Sequence, residues 1–354
     1  MPLSKRSNGT SAKAKKNGNG YSAKDFSSDQ EVRWCPGCGD YTILKQVQNV
    51  MPDLGLPKED IVFISGIGCS SRFPYYMDTF GMHSIHGRAP AIASGLKITR
   101  PELSVWIITG DGDSLSIGAN HFVQILRRNL DVNILLFNNE IYGLTKGQYS
   151  PTSSEGSVTK STPLGSVDHP FDPVTLAQGA HGTFIARAMD RDPKHLKKML
   201  MRSYEHKGTS MLEIYQNCLV FNDGVFSDYT DKKSRPSHAL YLEDGEPLVF
   251  GKEEEKGIRL DGLRPEVVDL NEGPYSRDDL WVHDEKDPGK AFLMARYFDD
   301  PTIRQDLPRP FGVFYAVDRY LYEERANEQV AQAKKNKKPD LDGLLEGPET
   351  WVIK

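Results

Sequence analysis

The amino-acid sequence predicts an α/β protein with a doubly wound, mostly parallel sheet. Between Glu31 and Asn222, short β-rich runs alternate with longer helix-like segments, which is the pattern of a parallel sheet covered on both faces. The β-rich runs are also nearly continuously apolar, as expected for strands that are buried on both sides. With 354 residues, of which 38% are hydrophobic, the chain can bury a sizeable core.

The predicted elements alternate in chain order. Each predicted strand is a short run rich in Ile, Val, Leu, Phe or Met, and a crossover helix between consecutive strands is what allows them to be parallel. The strands are predicted at 61–64, 104–108, 133–137, 183–186 and 210–214, and the helices at 40–50, 88–98, 115–128, 172–179 and 191–206.

Composition divides the chain into three predicted regions. Residues 1–24 are rich in Ser, Gly, Asn and Lys, with too little apolar surface to offset the entropy of ordering, so we expect a disordered basic tail. Residues 25–226 form the predicted α/β domain. From 227 to 354 the sequence is charged and interrupted by Pro and Gly, with a hairpin predicted at 240–250 and a helix at 313–335. We expect this irregular C-terminal extension to wrap the domain or a partner subunit.

The charge balance excludes some classes of partner. The formal net charge is -5 and the pI is about 6.0, so the chain as a whole has no attraction for nucleic acid. No apolar run is long enough to span a bilayer, and the N-terminus lacks the apolar segment of a secretory signal. These features predict a cytoplasmic protein with neither a nucleic-acid nor a membrane partner.

A glycine-acid loop, Gly110-Asp111-Gly112-Asp113, follows the predicted strand at 104–108. Glycines let the backbone approach a ligand closely, and the free N–H groups of a following helix attract anions, so the loop is suited to a diphosphate. A hard cation such as Mg²⁺ would have to bridge the phosphates and the protein, and Asp111 could supply one oxygen ligand.

The next predicted strand ends in the sequence NNEIYG, where Asn139 could offer an amide oxygen and Ile141 a backbone carbonyl. Adjacent parallel strands bring their C-terminal loops side by side, at the edge where open α/β sheets bind ligands. Each motif alone is ordinary turn material. Spaced by one strand–helix unit, the two together form the signature of thiamine diphosphate enzymes, which predicts thiamine diphosphate and Mg²⁺ as cofactors.

The four cysteines form one candidate metal site. Cys69 and Cys218 each follow a predicted strand, at the same edge as the Gly-Asp-Gly loop, while Cys35 and Cys38 precede the first helix. Dispersed cysteines favour an iron–sulfur cluster over structural zinc, which usually takes two short knuckles. A redox pair at Cys35 and Cys38 would leave the other two unexplained. Four buried thiols without a ligand are the remaining alternative.

Six segments between about residues 30 and 225 resemble one known family. They are similar to the β subunits of the 2-oxoacid:ferredoxin oxidoreductases, most closely to the 2-oxoglutarate branch. The resemblance implies a thiamine-diphosphate-binding fold of the PP type. It also implies Asp111, Asn139 and Ile141 as Mg²⁺ ligands, and a [4Fe–4S] cluster bound by all four cysteines. The segments are WCPGCGDYTIL, GIGCSSR, HGRAPAIASGLK, TGDGD, NNEIYGLTKGQYSPTS and LEIYQNC.

The family's activity is the coenzyme A-dependent oxidative decarboxylation of a 2-oxoacid, with electrons passed through the cluster to ferredoxin. The resemblance therefore implies conversion of 2-oxoglutarate to succinyl-CoA and CO₂, or the reverse reductive carboxylation. It also implies an α subunit that supplies the activating glutamate and much of the coenzyme A site, in an (αβ)₂ assembly. Pyruvate or another 2-oxoacid is an alternative substrate. A non-redox thiamine-dependent decarboxylase subunit and a zinc-binding scaffold are the alternative classes.

Four further residues are candidates for the substrate pocket. The planar guanidinium of Arg72 would suit the distal carboxylate of 2-oxoglutarate, although a surface arginine would look the same in sequence. His86 could bond the diphosphate or a substrate carboxylate, or be merely packed. Leu144 and Thr145 follow the metal loop and could line the pocket, and Leu144 and His86 are also candidate cofactor contacts. The predicted cofactor-binding set is completed by Cys69, Gly110, Gly112, Asp113 and Gly143.

Overall fold

The computed structural model describes residues 20–300, 303, 307–336, 340–351 and 353. Within these residues the chain forms strands and helices in alternation up to β6, as the sequence predicts. The strands are β1 Ile61–Ser65, β2 Phe80–His83, β3 Ser104–Gly110, β4 Val132–Asn138, β5 Phe184–Met189, β6 Ser210–Tyr215, β7 Ala239–Tyr241, β8 Val249–Phe250, β9 Lys256–Asp261, β10 Arg264–Asp269 and β11 Arg309–Ala316. The helices are α1 Asp40–Val50, α2 Ala89–Thr99, α3 Asp111–Leu115, α4 Ala119–Arg128, α5 Pro173–Gly179, α6 Pro193–Glu205, α7 Ser227–Thr230, α8 Arg235–His238, α9 Pro288–Asp299, α10 Tyr322–Asn336 and α11 Leu341–Glu346.

An eight-stranded sheet with the order β2-β1-β3-β4-β6-β5-β11-β7 forms the centre of the fold. Every neighbouring pair in it is parallel except β11 with β5. Successive residues of a strand point to opposite faces, so Ile107 belongs to the core beneath Phe122 of α4, while Trp106 belongs to the core beneath Leu196 of α6. The two buried faces confirm the predicted doubly wound, mostly parallel α/β fold.

The five predicted strands are all present, and each is one or two residues longer than predicted. The predicted helix 115–128 is wrong in one respect, because residues 116–118 interrupt it. At this break Gly118 passes directly against Gly87, where a Cβ added to Gly87 would lie 2.5 Å from the Gly118 nitrogen. A continuous helix could not bring the two backbones this close.

The hairpin predicted at 240–250 is wrong. A turn is present, since the Glu246 N–H donates to the Glu243 carbonyl at 3.2 Å, but the flanking strands do not pair with each other. Instead β7 pairs in parallel with β11, and β8 pairs with β9 in a separate three-stranded antiparallel sheet. The segment therefore connects two sheets, because β7 and β8 pair with different strands and not with each other.

The helix predicted at 313–335 is also wrong in its first part. Residues 309–316 are β11, and α10 begins only at Tyr322. Phe311, Val313 and Phe314 are fully buried, so both faces of this segment are covered, as in a strand that has helices on both sides of its sheet. The region after residue 226 thus contributes two strands to the central sheet. Its contact with a partner subunit stays a prediction, and residues 1–19 of the predicted tail lie outside the described residues.

None of the described helices is long and apolar enough to cross a membrane. The C-terminal ends of β1, β3, β4 and β6 all lie at one edge of the central sheet. The loops that leave these four strands carry most of the candidate site residues, while Cys35 and Cys38 precede α1 and His86 follows β2.

Candidate functional site

The Gly-Asp-Gly loop lies directly beside the Asn-Asn loop, because Gly110 of β3 pairs with Phe137 of β4. Asp111 is 2% exposed, and one of its oxygens accepts hydrogen bonds from the hydroxyls of Ser150 at 2.5 Å and Thr152 at 2.7 Å. Burial raises the pKa of Asp111 to about 6. Both of these donors are neutral, so they do not neutralise the charge of the carboxylate. A buried carboxylate of this kind is suited to binding a cation, and Asp111 therefore fits the role of a Mg²⁺ ligand.

Asn139 and Ile141 stand on a tight turn after β4. The Asn139 Oδ1 accepts the Ile141 N–H at 3.2 Å, and Glu140 between them has a left-handed backbone, with φ of 53°. The intervening Glu140 is largely buried, and this burial raises its pKa to about 8. The turn presents the amide oxygen of Asn139 close to the backbone of Ile141, a donor set of the hard oxygen type that Mg²⁺ prefers.

Tyr142 holds this turn against the Gly-Asp-Gly loop. Its hydroxyl donates to the Gly112 carbonyl at 3.1 Å, and its ring covers the Gly112 Cα. A Cβ added to Gly112 would lie 2.1 Å from the ring, so only glycine fits. The second glycine of the motif is therefore required by the packing of the neighbouring metal loop.

Asp113 anchors three loops of the same edge. Its 3%-exposed carboxylate accepts the N–H groups of Ile67 at 3.0 Å and Gly87 at 2.8 Å, together with the Thr109 hydroxyl at 2.8 Å. The His86 Nδ1 lies 2.7 Å from the same carboxylate, although it is not aligned for a hydrogen bond. The acceptors of Asp113 are thus occupied by this chain, and its direct contact with a cofactor stays a prediction.

The four cysteines converge on one cavity of about 250 Å³, as the sequence predicts from their strand ends. Cys35 is exposed and the other three are half-buried, all of them as free thiols. Gly143 of the metal loop lies close to two of these thiols. A Cβ added to Gly143 would lie 3.5 Å from the Cys218 sulfur and 3.6 Å from the Cys69 sulfur. The metal loop therefore lies within contact distance of both thiols.

The donor set of this cavity fits a cluster better than a single ion. Zinc needs four ligands at about 2.3 Å, yet among the described residues no three His, Cys, Asp or Glu side chains are close enough together to hold one metal ion. A cubane cluster instead takes one thiolate at each of four separated corners. Burial raises the pKa of Cys69 to about 12 and also raises that of Cys38 and Cys218, so these thiolates need a positive group to be stable.

The other candidate residues lie around the same cavity or beside it. Arg72 and Leu144 line it, and an Arg72 Nη1 donates to the Arg33 carbonyl at 3.2 Å. Thr145 is exposed, and its hydroxyl bonds the side chain of Gln148. The roles of these three residues toward a substrate stay predictions.

Three residues with roles at the site were missed by the sequence analysis. Ser150 and Thr152 orient Asp111, and Gln216 contacts both Asn139 and Cys38. All three lie within the segments QYSPTS and LEIYQNC that carried the resemblance. Proximity to those motifs was the available signal, but only the folded loops show the contacts.

Comparisons with known proteins identify the family of the chain. Residues 66–214 match the model of the thiamine pyrophosphate enzyme C-terminal TPP binding domain. The chain is 51% identical over 339 residues to the 2-oxoglutarate oxidoreductase subunit KorB of Mycobacterium tuberculosis, an alignment that covers 93% of this chain and 88% of that protein. It is 45% identical over 190 residues to 2-oxoacid:ferredoxin oxidoreductase 1, subunit beta, of Aeropyrum pernix, covering 54% of this chain and 60% of that one.

A solved structure extends the likeness to the fold. The 2-oxoglutarate:ferredoxin oxidoreductase from Magnetococcus marinus, solved with 2-oxoglutarate, coenzyme A and succinyl-CoA bound, superposes with a TM-score of 0.74 at 28% identity. The match covers 96% of this chain and all of that one. The resemblance that the motifs predict is confirmed, and the chain belongs to the β subunits of the 2-oxoacid:ferredoxin oxidoreductases.

Proposed function

We propose that this chain is the β subunit of an enzyme that converts 2-oxoglutarate and coenzyme A to succinyl-CoA and CO₂, or runs the reverse reductive carboxylation, with ferredoxin as electron carrier. The names of its relatives support the substrate, since the Mycobacterium tuberculosis protein is a 2-oxoglutarate oxidoreductase subunit. The Magnetococcus marinus enzyme was solved with both the 2-oxoacid and the thioester bound. Pyruvate or another 2-oxoacid is the alternative substrate.

The observation that best supports a redox function is that the two candidate sites adjoin the same cavity. Asn139, the candidate Mg²⁺ ligand, lines the same cavity as all four cysteines. Electrons released at a cofactor held by the metal loop would therefore have only a short distance to travel to a group held by the thiols. A non-redox decarboxylase would have no need for four cysteines at this place.

Each residue of the site has a defined task in this proposal. Asp111, Asn139 and the Ile141 carbonyl would hold Mg²⁺, with Ser150 and Thr152 fixing the carboxylate of Asp111. The four cysteines would hold a [4Fe–4S] cluster. Thiamine diphosphate would supply the electron sink for decarboxylation, and a cluster held by the cysteines would accept electrons one at a time. Arg72, which is half-buried and lines the cavity, would bind the distal carboxylate of the 2-oxoacid.

An α subunit completes the enzyme in this proposal, contributing the activating glutamate and much of the coenzyme A site. The exposed apolar side chains at the β2 edge of the sheet support such a partner. Phe80 is 63% exposed, Met82 49% and Ile85 68%. An edge strand with this much exposed apolar surface is normally covered by another chain. An (αβ)₂ assembly and a cytoplasmic location, consistent with four free thiols, stay predictions.

Metal analysis of the anaerobically purified αβ complex tests the proposal. We expect about four irons and four acid-labile sulfides per chain, with a broad visible absorption that bleaches on reduction. We also expect 2-oxoglutarate to be the preferred substrate in a panel of 2-oxoacids assayed for coenzyme A-dependent acceptor reduction. One zinc without sulfide would support the zinc scaffold, and neither metal would support the non-redox decarboxylase.

Two variants serve as crossed controls for each other. Cys218→Ser is expected to lose the iron while still binding thiamine diphosphate with Mg²⁺. Asp111→Asn is expected to lose the Mg²⁺-dependent binding of thiamine diphosphate while keeping the iron. If either variant loses both groups together, the two sites are not the separate units that the proposal requires.

A further inference from the structure

Gln216 is a buried side chain that joins the two candidate cofactor sites. It follows the last residue of β6 and is 1% exposed. Its Oε1 accepts a hydrogen bond from the Asn139 Nδ2 at 2.7 Å, and its Nε2 donates to the Cys38 sulfur at 3.2 Å. One amide thus contacts a candidate Mg²⁺ ligand at one end and a candidate cluster ligand at the other.

Two backbone groups determine the orientation of this amide. The Ile141 N–H needs an acceptor and finds the Asn139 Oδ1, which turns the Asn139 Nδ2 toward Gln216 and requires an oxygen there. At the other end the Asn217 carbonyl accepts from the Gln216 Nε2 at 2.7 Å. Because a carbonyl can only accept, the nitrogen must lie on this side, and its second hydrogen is available to the Cys38 sulfur.

Close packing holds the side chain of Gln216 in this conformation. A Cβ added to Gly39 would lie 3.0 Å from the Gln216 Cγ and 1.9 Å from an oxygen of Asp190. The backbone N–H of Gln216 donates to the Asn138 carbonyl at 2.8 Å, which continues the pairing of β4 and β6. These contacts restrict movement of both the backbone and the side chain of Gln216.

The N–H donor from Gln216 has a specific electrostatic effect at the Cys38 sulfur. It lies 3.2 Å from this sulfur and comes from a side chain that is almost fully buried. Hydrogen bonds to cluster sulfurs stabilise the reduced, more negative state of an iron–sulfur cluster and so raise its reduction potential.

We propose that Gln216 is a positioning residue for both cofactor sites: it orients the Asn139 amide so that the Asn139 oxygen faces the metal loop, and it raises the reduction potential of the cluster through Cys38. The inference rests on the proposed function, because it requires a cluster at the four cysteines. One buried amide would then determine both the orientation of a metal ligand and the reduction potential of the cluster.

The test is a redox titration of the anaerobic αβ complex, monitored by electron paramagnetic resonance of the reduced cluster. Gln216→Leu loses both contacts without adding charge. We expect its midpoint potential to be more negative by about 59 mV, which is a tenfold change for a one-electron couple, and its Mg²⁺-dependent binding of thiamine diphosphate to be about tenfold weaker. Gln216→Glu keeps an acceptor for Asn139 but replaces the donor to Cys38 with a carboxyl oxygen, so we expect a larger negative shift than in Gln216→Leu, with thiamine diphosphate affinity closer to wild type.

Tyr41→Phe is the matched control, because the Tyr41 hydroxyl lies close to the cysteines but donates to the Trp34 carbonyl at 3.1 Å instead of a sulfur. We expect no change in its potential. If both Gln216 variants bind four irons and titrate like wild type, the inference is wrong. Wild-type complex without iron would instead overturn the proposed function itself.

A measurement on the wild-type complex covers the case in which a variant fails to assemble its cluster. Glutamine labelled with ¹⁵N in the side-chain amide is incorporated, and pulsed electron paramagnetic resonance of the reduced cluster is recorded. We expect a ¹⁵N hyperfine coupling that arises through the contact between the Gln216 Nε2 and the Cys38 sulfur. Absence of this coupling in a complex with four irons would overturn the inference.

Discussion

Replacing Gly112 by alanine should displace the metal loop without straining the backbone. The added Cβ would lie 2.1 Å from the Tyr142 Cε1, with two more ring atoms at 2.6 and 2.7 Å, whereas ordinary contact begins at 3.4 Å. The ring must therefore move by more than about 1 Å. Since Tyr142 follows Ile141 directly, this movement carries the candidate metal-binding carbonyl with it.

The cost of this displacement can be worked from the contacts of Tyr142. Movement of the ring breaks the hydrogen bond from its hydroxyl to the Gly112 carbonyl and pulls on the bond between the Tyr142 N–H and the Gln148 carbonyl at 2.9 Å. Overpacking of this kind costs about 1–3 kcal/mol, which corresponds to about five- to 150-fold in affinity. We expect Gly112→Ala to weaken the binding of thiamine diphosphate by this factor.

Isothermal titration of the cofactor-depleted αβ complex with thiamine diphosphate at fixed Mg²⁺ measures the effect. In the Tyr142→Ala background the ring is gone, so Gly112→Ala should cost little, whereas Tyr142→Phe keeps the ring and should give no relief. Gly95→Ala is the control, because a Cβ at this exposed position in α2 meets nothing within 4 Å. Equal costs of Gly112→Ala in both backgrounds, or wild-type affinity of the single variant, would refute the reasoning.

Three further outcomes follow from buried groups of the central sheet. Asp113→Ala leaves the buried Gly87 N–H and the half-buried Ile67 N–H without an acceptor, at about 1–3 kcal/mol for the buried group, while Asp113→Asn keeps one acceptor oxygen. We expect the alanine variant to unfold at a lower temperature than the asparagine variant, and equal melting temperatures would contradict the anchoring role. Arg187→Met leaves Glu213 buried without its cation, whereas Asp299 keeps its ion pair with Arg309 at 2.6 Å. We therefore expect the free energy of unfolding to fall by about 3 kcal/mol, seen as a lower melting temperature than in Arg187→Lys. Burial lowers the pKa of His195 and of His206 to about 4, so the unfolded chain takes up protons first and stability should fall as the pH drops from about 6.5 toward 4. The double variant with glutamine at both histidine positions should flatten this part of the profile of melting temperature against pH, and an unchanged profile would contradict the assignment.

The sequence predicted the front two-thirds of the fold well because its strands are short, continuous apolar runs between helices. The same principle failed after residue 226, where short apolar runs fit a helix, a hairpin or a strand equally. The partner of β7 is β11, about 70 residues further along the chain, and β11 enters the sheet antiparallel to β5. No local sequence pattern predicts these strand pairings, because they depend on which apolar surfaces the rest of the folded chain leaves exposed.

The sequence by itself determined which residues are candidates for binding the cofactors. Asp111, Asn139 and the four cysteines each follow or precede a recognisable element, and parallel strands bring such positions to one edge whatever else the chain does. Only the tertiary structure decided how these residues are held. Asp113 is an anchor for three loops, and Gln216 lies between Asn139 and Cys38. Residue type and spacing determine which atoms can bind a cofactor, whereas the partner of a buried amide or carboxylate depends on strand register and side-chain packing, which are set only in the folded chain.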